Sequence, residues 1–154
     1  MTTPHILVPA DFSDDAEQAL DYAIQLAKAF QARLSILHVI HLTPMAMGDI
    51  GAASLVPYLE DMEADAQQRL HAMMDRVNQE GLEGETVIVQ GVPAQHIVEM
   101  AGNKSIDLIV MGTHGRTGLT HALIGSVAER VVRLAPCPVL VTRGTADAST
   151  TQNA

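Results

Sequence analysis

The residues best suited to chemistry lie between positions 112 and 126. Gly112-Thr113-His114-Gly115-Arg116-Thr117-Gly118 is followed further on by Gly125-Ser126. Glycines clustered this way let a backbone take positive φ and come close to a bulky anion. Converging N–H groups with a helix start behind them make a cradle for phosphate. Arg116 and His114 add side-chain donors inside the loop, and each could equally be a solvated side chain. Ser126 could cap the following helix, contact phosphate, or do both, since the positive end of a helix dipole favours an anion there. This loop moves the expectation from an α/β domain in general to a nucleotide binder.

The loop departs from two better-known phosphate motifs. No Lys lies between Gly112 and Ser126, so it lacks the glycine-lysine-serine ending of the Walker type. It also follows a late apolar segment, whereas a dinucleotide fingerprint follows the first strand.

The elements around the loop alternate. Ile6-Leu7-Val8 is a short apolar strand ending at Pro9-Ala10-Asp11. Asp11 could serve a site at that strand's carboxyl end, or simply the turn before the first helix. Ser13 or Asp14 can cap this helix, and Asp14 with Glu17 has capping-box spacing. Ala16, Ala19, Leu20, Ala23, Leu26, Ala27 and Phe30 share one helical face. Residues 33–40 form a second strand. Residues 41–57, with Pro44, Gly48, Gly51 and Pro57, are expected as a surface loop. A long helix over about 55–79 should end near Gly81, which suits a helix stop. Thr86-Val87-Ile88-Val89 is a third strand, and Pro93 sits at the first turn of the next helix. Residues 106–111 are almost continuously apolar, which predicts a strand buried on both faces. Ser126-Val127-Ala128-Glu129 has capping-box spacing and should open the last helix, with Val127, Val131 and Leu134 inward. Val139-Leu140-Val141 is the fifth strand, and the small, polar segment 144–154 is expected to be a flexible tail.

Strands separated by helices imply a single-domain α/β fold with a doubly wound, open parallel sheet and right-handed crossovers. Ligands of such sheets sit beyond the carboxyl ends of the strands, where the strand order reverses.

Composition narrows the partners. Formal net charge is −9, which argues against nucleic acid or an anionic membrane surface. Only 3% of residues are aromatic, so the core must come from aliphatic residues and eight Met. No apolar run approaches the roughly 20 residues of a membrane helix. No signal-peptide pattern opens the chain, so a cytoplasmic location is expected. The one cysteine, Cys137, lies in an apolar setting that suits a small buried hydrophobe better than a redox thiol. The histidines outside the loop show no metal-ligand spacing.

Gly112, Gly115 and Gly125-Ser126, in that spacing, resemble the ATP-binding motif of the universal stress protein family. The opening stretch from Ile6 to Ser13, Leu37-His38-Val39, Gly91-Val92-Pro93 and Cys137-Pro138-Val139-Leu140-Val141 are similar to segments in the same order in that family. The resemblance implies strand order 3-2-1-4-5 with helices on both faces, a Rossmann-like fold of the adenine nucleotide alpha hydrolase type, over residues 1–143. It implies that Asp11 contacts ribose or a metal-bound water. Pro9 and Val39 would line an adenine pocket beside Ala10. Met111 and Gly112 would pack near ribose. Gly115, Gly125, Ser126 and Val127 would contact phosphate, with His114 and Arg116 as further candidates. The implied ligand is ATP or AMP, with Mg²⁺ accompanying a polyphosphate. The implied assembly is a homodimer through the last strand, acting in stress tolerance with an as yet unidentified protein partner. Two other functions stay open. One is slow ATP hydrolysis or autophosphorylation, for which Asp11 and His114 are the conceivable bases. The other is a nucleotide-independent dimeric interaction module.

Overall fold

The structure is a computed structural model that describes residues 2–114 and 124–144. Five strands form one parallel sheet in the order β3-β2-β1-β4-β5. They are β1 (His5–Pro9), β2 (Arg33–Ile40), β3 (Gly84–Gln90), β4 (Leu108–Gly112) and β5 (Val139–Thr142). The helices are α1 (Asp14–Phe30), α2 (Pro44–Asp49), α3 (Ala52–Gln79), α4 (Pro93–Asn103) and α5 (Ser126–Leu134). β1 lies in the middle, flanked by β2 and β4, so the strand order reverses beside it.

Side chains of a strand alternate between the two sheet faces. Here both faces are apolar. Ile6 and Val8 of β1, Leu34 and Ile36 of β2 and Val110 of β4 pack against α1 and α3, where Leu20, Ala23, Leu70 and Val77 are buried. Leu7, Leu37, Ile109 and Met111 point the other way, onto Ile97 and Ala101 of α4 and Ala128 and Val131 of α5. This two-sided burial is what the apolar run in β4 predicts. It fixes the register of the central strands, because a one-residue slip would exchange the two faces.

Three local expectations need correction. Residues 41–57 are not simply a loop. Thr43 Oγ1 accepts the Ala46 N–H at 3.2 Å and Pro44 opens the short helix α2, a favourable pairing of cap and first residue. α3 then starts at Ala52 and carries Pro57 within it. The missing Pro57 N–H orphans only the carbonyl of Ala53, in a solvent-exposed turn where water can serve it. The surface character does hold, since α2 has no buried residue. Second, Ser126 is not the cap of α5. Gly125 holds that place, and its carbonyl accepts the Glu129 N–H at 2.9 Å, which starts the helix one residue early. Third, Phe30 and Leu134, expected inward, are exposed, while Ile24 takes an inner position on α1. Of the two candidate caps for α1, Ser13 is the one used, its Oγ accepting the Ala16 N–H at 3.2 Å.

The amino ends of the strands are closed by a polar chain. His5 of β1 is buried, and its Nε2 lies 2.7 Å from Ser35 Oγ of β2. Ser35 donates to Glu85 Oε1 of β3 at 2.8 Å, and Lys104, at the end of α4, donates to the same oxygen at 2.5 Å. Because the Ser35 proton goes to Glu85, His5 must donate to Ser35 through Nε2. Nδ1 has no partner among the described residues. Burial pushes the His5 pKa below its ordinary value, and the nearby Arg33 charge adds to this. The Lys104 hydrogen bond holds Glu85 below the usual carboxylate range.

Candidate functional site

A cavity of about 370 Å³ opens at the other end of the sheet, beyond the carboxyl ends of β1 and β4. This is the switch point, so topology and cavity coincide. Pro9, Ala10 and Asp11 form one wall, and Val39 of β2 lies beside them. Met111, Gly112 and His114 form the opposite wall. Gly125, Ser126 and Val127 close it at the start of α5. Gly115 and Arg116 lie outside the described residues, as does the chain from 145 onward.

The β1 wall is held in place by local hydrogen bonds. Asp11 Oδ1 accepts the Ser13 N–H at 3.0 Å and the Ser13 hydroxyl at 2.5 Å. Asp11 therefore serves the turn and also lines the cavity. Phe12, between them, takes a left-handed φ of 64°, which is uncommon for a bulky residue. It is held by a stack. Its ring lies 4.4 Å from that of His38, and the Arg69 guanidinium of α3 sits 5.3 Å from its centre. The His38 Nδ1 in turn lies 2.7 Å from the Ala10 carbonyl.

The β4 wall is joined to α1 by Asp15. Its Oδ2 accepts the His114 N–H at 3.0 Å and the Thr113 hydroxyl at 3.2 Å. Asp15 and Gly112 are so close that a Cβ on Gly112 would fall 2.6 Å from Asp15 Cβ and 2.9 Å from its carbonyl carbon. The loop returns at Gly125, whose N–H donates to the Thr113 carbonyl at 2.6 Å, where a Cβ would meet that same oxygen at 2.6 Å. Glycine is required at both positions by close approach.

Sequence reasoning missed Asp15, His38, Phe12 and Thr113. Asp15 carried one faint signal, as one of three acids in the first turn of α1. His38 sits in a strand segment with no metal-ligand spacing, and its Nδ1 faces a backbone carbonyl. Among the described residues no group of three His, Cys, Asp or Glu is placed to hold a metal ion. Cys137 is partly buried, packs against the α4–α5 side of the core, and has its thiol pKa raised by burial. It is a packing residue here.

An open parallel sheet, apolar on both faces, with a glycine-lined cavity at its switch point defines a doubly wound α/β protein. Residues 2–143 match the sequence model of the Universal stress protein family, and the chain belongs to that family. It is 40% identical over 139 residues to universal stress protein MJ0531 of Methanocaldococcus jannaschii, a match covering 90% of this chain and 81% of that protein. The solved structure of MJ0577, from the same organism, superposes with a TM-score of 0.82 at 28% identity, over 95% of this chain and 99% of that one. A universal stress protein solved in complex with cAMP superposes with a TM-score of 0.69 at 28% identity, over 92% of this chain and 98% of that one. No helix among the described residues is long and apolar enough to cross a membrane.

Proposed function

We propose that this chain is an adenine-nucleotide-binding stress-response regulator, holding ATP or AMP in the switch-point cavity. The observation that carries the proposal is the cavity itself. Its volume lies in the range of small-molecule sites. Two glycines line it, Gly112 packed against Asp15 and Gly125 against the Thr113 carbonyl, and the start of α5 opens beside them. Those are the features an anionic ligand needs. The cAMP complex of a relative with the same fold supports an adenine nucleotide in particular.

In this proposal Pro9, Ala10 and Val39 face the base, and Asp11, Met111 and Gly112 lie by the ribose. Gly115, Gly125, Ser126 and Val127 face the phosphates, with His114 and Arg116 as side-chain donors. Mg²⁺ arrives with the polyphosphate. The protein works in the cytoplasm as a homodimer through β5. That strand is a sheet edge, and Leu140 on it is exposed, as are Val132 and Leu134 of the preceding helix. An uncovered apolar edge strand is a liability that a second copy would remove.

Calorimetric titration with ATP, AMP and GTP, with and without Mg²⁺, tests the proposal. Adenine-selective binding is expected. Failure to bind any of the three would overturn it in favour of a nucleotide-independent interaction module.

A further inference from the structure

We infer that His38 of β2 is a positioning residue that fixes the Asp11 carboxylate, and that the cavity thereby selects ligands carrying ribose hydroxyls. This rests on the nucleotide proposal above and deepens it, by tracing sugar selection to a side chain of the neighbouring strand.

The chain leaves the sheet after β1, and Asp11 lies in the turn that follows. Two successive residues of β2 hold both backbone polar groups of Ala10. Its N–H donates to the Leu37 carbonyl at 2.8 Å, and its carbonyl lies 2.7 Å from His38 Nδ1. A carbonyl can only accept, so Nδ1 is the donor. His38 is buried, and a buried hydrogen bond is costly to lose. The same ring stacks on Phe12, with centres 4.4 Å apart and planes 28° from parallel. Phe12 has a left-handed φ of 64°, which a bulky residue keeps only where its surroundings impose it. One side chain therefore grips the residue before Asp11 and the residue after it. Ser13 completes the hold by giving its N–H and its hydroxyl to Asp11 Oδ1.

What the held carboxylate can do follows from its charge. It repels phosphate and accepts from hydroxyls. The start of α5, with Gly125 and Ser126, is the end of the cavity suited to phosphate. Asp11, on the β1 wall, is suited instead to the uncharged, hydroxyl-bearing sugar. A sugar without hydroxyls gives the carboxylate nothing to accept. Hydrogen bonds weaken steeply with distance and angle, so a small rotation of the turn removes the selection. His38 acts through Asp11 and need not touch the sugar.

Titration calorimetry with ATP and with dideoxy-ATP, which lacks both ribose hydroxyls, tests this as the ratio of the two affinities. Wild type should favour ATP about tenfold, the scale of a hydrogen bond to a charged group. His38→Phe keeps a ring against Phe12 and deletes the donor, and the preference should fall below about threefold. Asp11→Ala should remove the preference, and adding His38→Phe in that background should change the ratio by less than about twofold. His38→Asn retains a side-chain N–H donor and should recover a preference above about fivefold. Phe12→Ala releases the other grip and should lower the ratio as His38→Phe does, which serves where His38→Phe folds poorly. General loosening of the core would weaken both ligands together and keep the wild-type ratio; that result overturns the inference. So does an unchanged ratio in Asp11→Ala, or no preference in wild type. Those results leave the nucleotide proposal standing, whereas a wild-type protein that binds neither probe removes both.

Discussion

The two ends of this sheet are built from similar polar residues and solve opposite problems. At the amino ends, His5, Ser35, Glu85 and Lys104 form a chain of hydrogen bonds across three strands and a helix. At the carboxyl ends, Asp11, Asp15, Thr113 and His114 are likewise hydrogen-bonded, but around a cavity. Among the described residues each end keeps one buried imidazole nitrogen without a hydrogen-bond partner, Nδ1 of His5 and Nε2 of His114. Their surroundings differ. Burial and the Arg33 charge disfavour a charge on His5, so the ring is held toward its neutral form. His114 faces a carboxylate and lines a cavity.

The sharpest way to break this contrast is to fill the cavity end. Gly125→Val sets carbon against the Thr113 carbonyl, which is backbone and cannot swing aside. ATP affinity should fall at least about a hundredfold, as expected when a clash displaces a site built to near-ångström tolerance. Titration calorimetry checks this, with the circular dichroism spectrum showing that the fold persists. At the closed end the effects should reverse. His5→Ala removes a buried side chain and the hydrogen bond that Ser35 accepts, so unfolding free energy should drop by about 2–4 kcal/mol. ATP affinity should stay within about twofold of wild type. A large loss of ATP binding in that variant would show the two ends to be coupled.

Acid sharpens the contrast further. The folded state lowers the His5 pKa, so it favours the neutral ring. Stability is then complete above the unfolded histidine value and is lost as pH falls below about 6.5 toward the folded value. Glu85, also lowered, adds a loss in the same direction as pH falls below its ordinary value of about 4.5. Thermal melts of wild type and His5→Asn at pH 7.5 and pH 5 should show the steeper fall in wild type. The smallest effect belongs to neither end. Arg76 pairs with Glu17 and Asp21 on the partly exposed surface between α1 and α3. Arg76→Ala should cost less than about 1 kcal/mol in urea unfolding and leave ATP binding unchanged.

The contrast also explains what the sequence discloses. β2 is legible over its whole length, because apolar periodicity and burial agree there. Pro93 marks the start of α4, because its fixed φ and missing N–H suit a first helical position. The glycines at 112 and 125 stand out because close approach excludes other residues. Asp15 and His38 do not stand out. Their partners lie 98 and 28 positions away, and nothing local announces a contact that only the closed sheet creates. α2 is missed for a different reason. Pro44 and Gly48 look like loop residues, and only the Thr43 cap turns the segment helical. Ser126 is misplaced by one residue because a side chain suited to capping lost to a glycine tied to Thr113.

Phe12 carries a consequence for where order is established. Its left-handed backbone is strained, and the His38 ring and the Arg69 guanidinium pack on it there. The turn that presents Asp11 is thus ordered during folding, before any ligand arrives. Phe12→Gly would relieve the strain and release the stack together, so the two changes offset each other in the fold. The ordering of that wall would then be deferred to the encounter with ligand, and it would appear as a less favourable entropy of association.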